Sequence, residues 1–446
     1  MPRVSFLFIL FLVAAAESAE TEFARLRESN WHQWRGPTAN GTAPHANPPT
    51  HWDEKKNVAW KVPIPGRGSS TPIVWEGRIY LLSAVETDRV DPNLPQPEDQ
   101  PDRLFGIKFP NRFYKFVVIC VDANSGKEIW RQVATERVPK EGHHPDNNFA
   151  SASPTTDGKR LYAWFGSQGL FCYDLEGTLL WKKDYGDLPM RRSFGEGASP
   201  IVHKDRLIIT RDSDGDSYIL AIDARTGDTI WRKNRDEKSA WATPLVVESD
   251  GRTQVITNAS KRVRSYDIDT GELIWECGGQ VTNVTPSPVH RNGIVYCMSG
   301  YQGNALFAIP VSSQGDLTDS EKIAWKRSRG TPYIPSPLLY DNRLYFNQSN
   351  QAILSCVDCE SGETVIDRTR MPNLPRIYAS PVAAAGRVYF VARDGTTLVL
   401  EHGDSFKVLA TNRLDEDIDA SPALVQNKIY LRGEKSLYCI ENKESP

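Results

Sequence analysis

The stretch Ala221–Trp231 reads AIDARTGDTIW and decides the fold. Its alternating apolar residues predict a strand, the Thr-Gly pair predicts a tight turn, and the residues up to the tryptophan predict a second strand. The same frame returns with its tryptophan at Trp130, Trp181 and Trp275, and with an isoleucine at Ile366. A hairpin that recurs along the chain indicates a repeat architecture.

A ladder of Ser-Pro and Thr-Pro pairs gives the size and number of the repeats. Its prolines stand at positions 72, 154, 200, 244, 288, 337, 381 and 422, and from Pro154 onward they are 41 to 49 residues apart. Each pair precedes a short apolar run, so each repeat holds four short strands without an amphipathic helix. This pattern predicts an all-β fold: an eight-bladed β-propeller of four-stranded antiparallel blades.

The ends of the chain predict how the ring closes and where the domains lie. Trp60 ends a strand before the first Thr-Pro pair, so residues 57–61 should pair with the last blade and remove the open sheet edges. We predict a signal peptide at 1–19, an N-terminal extension at 20–56, and the propeller at 57–446 with an insertion at about 86–115. Arg3, the apolar run 4–16 and the small residues after it support the signal peptide.

The composition and the N-terminal sequence indicate where the protein is located and which classes of partner it does not bind. The cleavage region holds no lipobox cysteine, so we expect a periplasmic or secreted protein without a lipid anchor or a membrane span. The formal net charge of -3 and the lack of a Lys/Arg run argue against nucleic acid as a partner. We expect a monomer.

Four of the seven cysteines occupy the same position in the repeat. Cys120, Cys172, Cys356 and Cys439 occupy one repeat position that Ala and Ser fill in other blades, which indicates a small packing position. Cys356 and Cys359 form a CxxC within the turn frame, and a disulfide between them stays open. No second cysteine pair exists to complete a four-thiolate zinc site.

Two short motifs resemble metal sites but do not meet the requirements of one. The stretch 212–216 (DSDGD) resembles the start of a calcium loop, but its glycine is one position early and the required Glu is missing, so we predict a hairpin turn. His143 and His144 are adjacent and should point to opposite sides. We predict no metal site, and no catalytic set is recognisable.

The repeat carries a family resemblance. The frame A-x-D-x-x-T-G-x-x-x-W, intact at 221–231, resembles the tryptophan-docking repeat of eight-bladed quinoproteins that bind pyrroloquinoline quinone (PQQ). The stretches 31–37 (WHQWRGP), 57–61 and 239–244 resemble the exported PQQ-binding-like propellers of planctomycetes. The resemblance implies the fold, with PQQ and calcium as candidate cofactors. Quinoprotein alcohol dehydrogenases also use two adjacent cysteines beside the cofactor and, for electron transfer, C-x-x-C-H haem motifs, and neither is present here.

The faces of the predicted propeller indicate where a site would lie. Short stereotyped turns emerge on one face, and long individual loops emerge on the other, where binding usually resides. We expect a ligand site at the channel mouth on that loop-rich face. Its candidate residues are Asn148, Glu196, Trp241, Tyr301, Tyr333, Tyr378, Arg393 and Asp419. Aromatic rings among charged groups suit a polar, partly planar ligand such as a sugar, a peptide or a quinone. The alternative is that these groups bond to one another and to ordered water.

Three functions remain open. The first is an exported binding or scaffold protein that presents a site for a ligand or an envelope protein without catalysis. The second is a PQQ- and calcium-dependent oxidoreductase in which Glu196 and Asp419 take the metal and base roles. The third is a cell-envelope assembly factor, since the lipoprotein propeller of the outer-membrane barrel assembly machinery also resembles this repeat. Whether the chain is an enzyme stays open.

Overall fold

The structure is a computed structural model that describes residues 22–442. These residues form eight antiparallel sheets, and the predicted eight-bladed β-propeller is confirmed. The inner strands of neighbouring blades contact one another, including those of the first and last blades, so the ring is closed.

The strands of the first four blades and the ring-closing strand have the following bounds. The closing strand is β1 (Val58–Pro63). Blade 1 consists of β2 (Ile73–Trp75), β3 (Arg78–Val90), β4 (Arg112–Asp122) and β5 (Glu128–Arg137). Blade 2 consists of β6 (Thr155–Thr156), β7 (Arg160–Trp164), β8 (Leu170–Asp174) and β9 (Leu179–Lys183). Blade 3 consists of β10 (Ile201–His203), β11 (Arg206–Arg211), β12 (Ser217–Asp223) and β13 (Thr229–Arg235). Blade 4 begins with β14 (Leu245–Ser249), β15 (Arg252–Asn258), β16 (Arg262–Asp267) and β17 (Leu273–Gly278).

The other four blades follow the same plan. Blade 5 contains β18 (Val289–Arg291), β19 (Ile294–Ser299) and β20 (Ala305–Pro310); β21 (Gly315–Asp316) then pairs in parallel with β17 of blade 4, and β22 (Trp325–Arg327) completes blade 5. Blade 6 consists of β23 (Leu338–Tyr340), β24 (Arg343–Asn347), β25 (Ile353–Asp358) and β26 (Thr364–Arg370). Blade 7 consists of β27 (Val382–Ala384), β28 (Arg387–Val391), β29 (Thr396–Glu401) and β30 (Val408–Arg413). Blade 8 consists of β31 (Ala423–Val425), β32 (Lys428–Arg432), β33 (Ser436–Glu441) and β1, which pairs with β33 as predicted.

Helical segments are short in the part of the chain that is described. Residues 22–27 are α-helical, and 3-10 turns lie at Pro97–Asp99, Leu104–Gly106, Gly166–Gln168 and Arg191–Ser193. Between residues 22 and 442, no helix is long and apolar enough to cross a membrane. The predicted signal peptide at 1–19 lies outside the described residues.

The Ser-Pro ladder forms a ring of hydroxyl groups around the channel. Every ladder proline directly precedes the innermost strand of its blade. From Ser153 to Ser421, the hydroxyl before each proline accepts the backbone N–H of the equivalent residue in the preceding blade. Seven such bonds of 2.9–3.0 Å link Thr71, Ser153, Ser199, Thr243, Ser287, Ser336, Ser380 and Ser421. The hydroxyl therefore pairs a buried backbone donor that faces the channel and would otherwise lack a partner.

The tryptophans of the repeat dock each blade on the next. The Trp231 indole N–H donates to the Ile268 carbonyl of blade 4 at 2.8 Å, and the ring lies against Gly271. A Cβ at Gly271 would lie 2.6 Å from the Trp231 ring, and its φ of +68° is in the left-handed region. Glycine is required in the turn because the neighbouring ring occupies that space.

The cysteine slot is small because aromatic residues flank it on both sides. Cys120 pairs with Tyr80 on one neighbouring strand and with Trp130 on the other. Cys172 lies in the same way between Tyr162 and Trp181. All seven cysteines are free and buried. Cys356 and Cys359 pack into different apolar clusters on the two sides of blade 6, so no disulfide joins them.

The N-terminal extension crosses the channel. Trp31 forms an antiparallel bridge with Val74 of β2. Arg35 is buried and donates to the carbonyls of Pro337 and Pro381, each at 2.8 Å. The extension therefore passes from blade 1 to blades 6 and 7 inside the ring, on the inner strands.

The insertion of blade 1 is shorter than the segment 86–115 named from the sequence. β3 and β4 run into that segment and pair there, with Val85 opposite Lys115 and Glu86 opposite Tyr114. The loop proper spans 91–111. The side chain of Gln100 ties this loop together, since it accepts the N–H of Phe109 at 2.7 Å and donates to its carbonyl at 2.8 Å.

Candidate functional site

A cavity of about 580 Å³ occupies the channel. Hydroxyls of the ladder ring line its lower part, and loop residues line its upper part. Trp34 of the N-terminal extension lines this cavity and also a small separate cavity beside Ile201 and Leu245 of the inner strands, so it closes the channel between the two. We call the upper space the funnel cavity.

Phe105 covers part of the funnel cavity. It lies in the blade 1 insertion with 57% of its surface exposed, and its φ is +59°. Its ring contacts the His144 ring at 4.6 Å and the Phe194 ring at 5.8 Å between centroids. These contacts hold the insertion against the loop before blade 2 and the loop before blade 3, over the mouth of the cavity.

Glu196 is held in a tight cradle on the wall. Its carboxylate accepts the Ser167 backbone N–H at 2.9 Å and the Ser167 hydroxyl at 2.6 Å. Glycine at position 166 leaves room for the Glu196 carboxylate, because a Cβ there would lie 1.2 Å from Glu196 Oε2. Burial raises the pKa of Glu196 to about 7, although the Ser167 bonds act in the opposite direction. Near neutral pH this group can therefore both accept and donate a hydrogen bond.

A charged network spans the opposite wall. Asp146 binds Arg393 in an ion pair and accepts the Tyr378 hydroxyl at 2.7 Å. Arg393 also pairs with Asp419 at 3.2 Å and lies over the Tyr378 ring at 4.8 Å. Burial would raise the pKa of Asp146, but the hydrogen bonds from Arg393 and Tyr378 lower it overall. Asp146 thereby fastens the loop before blade 2 to blades 7 and 8 across the mouth.

Asp419 is the second acid with a raised pKa. Burial raises the pKa of its carboxyl to about 6, and the Arg393 guanidinium opposes this shift. Its Oδ1 atom is buried and has no hydrogen-bond partner among residues 22–442. A buried acceptor without a partner is rare, and a ligand or an ordered water is the usual explanation.

Aromatic side chains complete the wall. The Tyr301 and Tyr333 rings lie 4.8 Å apart at an interplanar angle of 33°. The Trp241 indole N–H donates to the Gly195 carbonyl at 2.7 Å, which fixes the ring beside Glu196. The cavity is therefore walled by flat apolar faces with carboxylates between them, an arrangement typical of small-molecule sites.

The structure brings most of the predicted site residues together. Those that line the funnel cavity are Glu196, Trp241, Tyr301, Tyr333, Tyr378 and Asp419. Asn148 and Arg393 do not line it; both line a small cavity beside it, where Asn148 donates to the Ser69 hydroxyl at 3.0 Å.

Three residues that shape the cavity were not among the predicted site residues. Trp34 belongs to the WHQWRGP stretch, and its position in the channel could not be derived from spacing. Phe105 lies in the insertion, which was expected on the loop-rich face but not over the mouth of the cavity. Asp146 lies two residues after His144, and no repeat or motif signals its ion pair with Arg393.

The rejected metal motifs have structural roles. The stretch 212–216 forms the hairpin turn between β11 and β12, and Asp212 pairs with Arg235 at 2.7 Å. His143 and His144 point apart, as predicted: the first contacts the Phe149 ring and the second contacts Phe105. Within the described part of the chain, no group of three or more His, Cys, Asp or Glu side chains could hold a metal ion.

The residues of the funnel cavity do not fit a calcium ion beside PQQ. Calcium takes six to eight oxygen ligands, including carboxylates. Within residues 22–442, no group of three or more His, Cys, Asp or Glu side chains is arranged to hold a metal ion, so Glu196 and Asp419 do not combine into a calcium site. The cysteines are buried within the blades, so none can provide a sulfur surface facing Trp241 across the cavity.

Comparison with known proteins places the chain in a family. The family model PQQ_2, described as outer membrane protein assembly factor BamB, matches residues 115–368, which is more than half of the chain. The chain belongs to this PQQ-like propeller family. No curated protein sequence matches it.

Two solved structures of PQQ-like propellers are similar in fold. BamB from Moraxella catarrhalis has a TM-score of 0.54 at 13% identity, and the match covers 82% of this chain and 98% of that one. The quinohemoprotein alcohol dehydrogenase from Comamonas testosteroni has a TM-score of 0.59 at 11% identity, with 97% of this chain and 84% of that one covered. At this identity the likeness concerns the fold alone.

Proposed function

We propose that this PQQ-like propeller is an exported, monomeric binding protein whose funnel cavity takes a small uncharged polyhydroxylated ligand of the carbohydrate class, without a chemical step. The observation that carries the proposal is the closed-ended funnel cavity, with Trp34 at its base and aromatic and carboxylate side chains around it. The predicted signal peptide at 1–19 supports export.

The size of the cavity and its rings favour a sugar. A volume of about 580 Å³ lies within the range of small-molecule sites. The exposed faces of Trp241, Tyr301 and Tyr333 offer flat apolar surfaces, on which the C–H face of a pyranose packs well. A surface that only docks another protein can be flat, so the depth of this cavity favours a small ligand.

The polar groups favour an uncharged ligand. Each sugar hydroxyl donates and accepts, and Glu196 with a pKa of about 7 can do the same. The unpartnered Oδ1 of Asp419 is a free acceptor at the other side of the cavity. Arg393, the cation nearest to Asp419, is already committed to two carboxylates. Arg376 also lines the cavity, but it is exposed to solvent, where water and salt screen its charge.

The test is a calorimetric titration of the mature chain with neutral mono- and disaccharides. We expect saturable binding that Trp241→Phe weakens about tenfold, since part of the stacking face and one indole donor are lost. The matched control is Trp325→Phe, which loses an equivalent indole bond, 2.9 Å to the Cys359 carbonyl, far from the cavity. Equal affinity in both variants, or no binding of any sugar, would contradict the proposal.

The oxidoreductase alternative is tested in the same preparation. The chain is incubated with PQQ and CaCl₂ and then desalted. We expect the quinone absorbance to be lost on desalting, because the described residues provide no group of carboxylates that could hold calcium. Retained quinone together with dye reduction by alcohols would favour the oxidoreductase over the binding protein.

An envelope-assembly role is the second candidate, and the family match over residues 115–368 favours it. It predicts that crosslinking in intact cells recovers the same envelope protein with the wild-type chain and with Trp241→Phe, because docking would use the rim and not the funnel cavity. Recovery of no envelope protein would count against this candidate and leave the ligand-binding proposal intact.

A further inference from the structure

A second cavity of about 270 Å³ lies beside the funnel cavity and shares Glu196 and Ser151 with it. We call it the side chamber. Trp164, Phe165 and Phe149 give it an apolar wall, and Glu141, Gln168 and Glu196 line it with polar groups. Neither the repeat nor the family match assigns a role to this space.

A chain of hydrogen bonds fixes how Gln168 is oriented. The Ser167 hydroxyl donates its proton to Glu196 at 2.6 Å, so its oxygen must act as an acceptor toward Gln168. Gln168 therefore presents its Nε2 to Ser167, at 3.0 Å, and its Oε1 is left over. Gln168 is only 4% exposed, and this Oε1 has no partner among the described residues. A buried amide oxygen without a donor destabilises the protein unless a ligand or water supplies one.

Two of the donors that line the side chamber are already used, whereas two of its acceptors are not. The Asn148 amide donates to Ser69, and the Ser151 hydroxyl donates to Asn147 at 2.5 Å. Glu141, by contrast, accepts one bond, from the Met190 N–H at 3.1 Å through Oε2. Its other oxygen and Gln168 Oε1 are available, so the complementary ligand is a hydrogen-bond donor.

The charges around the chamber favour a cation. Burial raises the pKa of Glu141, and the carboxylates of Asp187 and Asp214 add to this shift. The basic groups nearby are Arg103, Arg211 and Lys140. Arg103 lowers the pKa of Glu141 but donates to Gln100 and lies over the Phe109 ring. Arg211 already donates to the Tyr185, Gly186 and Asp187 carbonyls, and Lys140 is exposed to solvent. Among residues 22–442, none of these bases forms an ion pair with Glu141.

We infer that the side chamber binds the ammonium group of a small organic cation, with Glu141 and Gln168 as acceptors and the rings of Trp164 and Phe165 around its alkyl part. An ammonium supplies three donors, and Glu141 and Gln168 each have an acceptor oxygen available for one. Aromatic faces next to carboxylates also attract a cation that has lost part of its water. The inference does not depend on the ligand of the funnel cavity, because Glu141 does not line that cavity.

The experiment titrates the mature chain with butylammonium chloride at pH 8 and low salt, in parallel with 1-butanol and sodium butyrate. We expect butylammonium to bind at least about tenfold more tightly than the neutral alcohol, because the alcohol lacks the charge and two of the donors. Glu141→Gln should remove most of this preference. Equal binding of butylammonium and butanol, or an unchanged affinity in Glu141→Gln, would overturn the inference.

Two controls separate this site from other effects. Glu360→Gln changes an exposed glutamate in a distant hairpin turn and should leave butylammonium binding unchanged. Sugar binding in the funnel cavity should survive Glu141→Gln, so failure of one site does not decide the other. If Glu141→Gln does not fold, Gln168→Met removes the amide acceptor at similar size, and unchanged butylammonium affinity in this variant would equally overturn the inference.

Binding should also depend on pH. The ammonium needs an ionised Glu141, and burial raises the pKa of this carboxyl. Lowering the pH from 8 to 6 should therefore weaken butylammonium binding, and binding should release protons as the pH falls. A pH-independent affinity would contradict the role of Glu141.

Discussion

Gly166→Ala tests whether the Glu196 cradle exists as described. The Ala Cβ would lie 1.2 Å from Glu196 Oε2, and φ at this position is +57°. The methyl group and the carboxylate cannot share this space, so Glu196 must leave its two donors on Ser167. Gly251→Ala is the matched control, because its φ is +74° and its Cβ would have no atom within 4 Å.

The magnitude follows from the contacts that each variant loses. Both substitutions hold an alanine in the left-handed region, which costs about 1–2 kcal/mol. Gly166→Ala also breaks the bonds of 2.9 and 2.6 Å from Ser167 to Glu196. Each is worth about 1.5–3 kcal/mol when the acceptor is charged, but the displaced carboxylate regains water in the cavity. We expect Gly166→Ala to cost about 2 kcal/mol more than Gly251→Ala.

The assay is urea unfolding followed by circular dichroism, with each glycine substitution made in the wild type and in Glu196→Ala. Without the Glu196 carboxylate the space beside Gly166 is free. The excess cost should therefore disappear in that background, while the cost of Gly251→Ala stays constant. If Gly166→Ala costs the same free energy of unfolding in both backgrounds, the cradle does not hold Glu196 as described.

Three further predictions concern blade docking, pH and the thiols. Gly271→Ala should lower the free energy of unfolding by about 1–3 kcal/mol more than Gly251→Ala, because its Cβ would collide with the Trp231 ring. Equal losses in the two variants would refute the docking role. The folded-state pKa of Glu196 is about 7 against an ordinary 4.5, so its contribution to stability is present below pH 4.5 and is lost as the pH rises to 7. This amounts to up to about 3 kcal/mol, and a stability-against-pH curve that stays as steep in Glu196→Gln would contradict it. Thiol titration in denaturant should give all seven cysteines as free thiols, and a count two lower would indicate a disulfide.

The fold was predictable because its signals repeat. Eight prolines marked the inner strands, and Trp60 marked the closing strand before the structure placed it against β33. The reason for the hydroxyl before each proline was not predictable, because the bond from Thr71 to Ser153 joins residues 82 positions apart. Such a contact exists only once the ring has closed.

The site was predictable only where its residues belong to the repeat. Residues directly before an inner strand, such as Glu196, Trp241 and Tyr333, must overlook the channel once the ring is known. Trp34 and Phe105 come from non-repeating segments, and no period fixes where such segments lie. Their positions depend on contacts such as Arg35 with the Pro337 carbonyl, which the sequence does not encode locally.

The central claim is that the funnel cavity holds a neutral sugar between its aromatic walls. Fluorine NMR of 5-fluorotryptophan-labelled protein tests it directly, with resonances assigned by Trp34→Phe, Trp241→Phe and Trp325→Phe. A binding disaccharide should shift the signals of Trp34 and Trp241 and leave that of Trp325, which lies on the outer strand β22, unchanged. Movement of Trp325 alone, or of no tryptophan at saturating sugar, would contradict the claim.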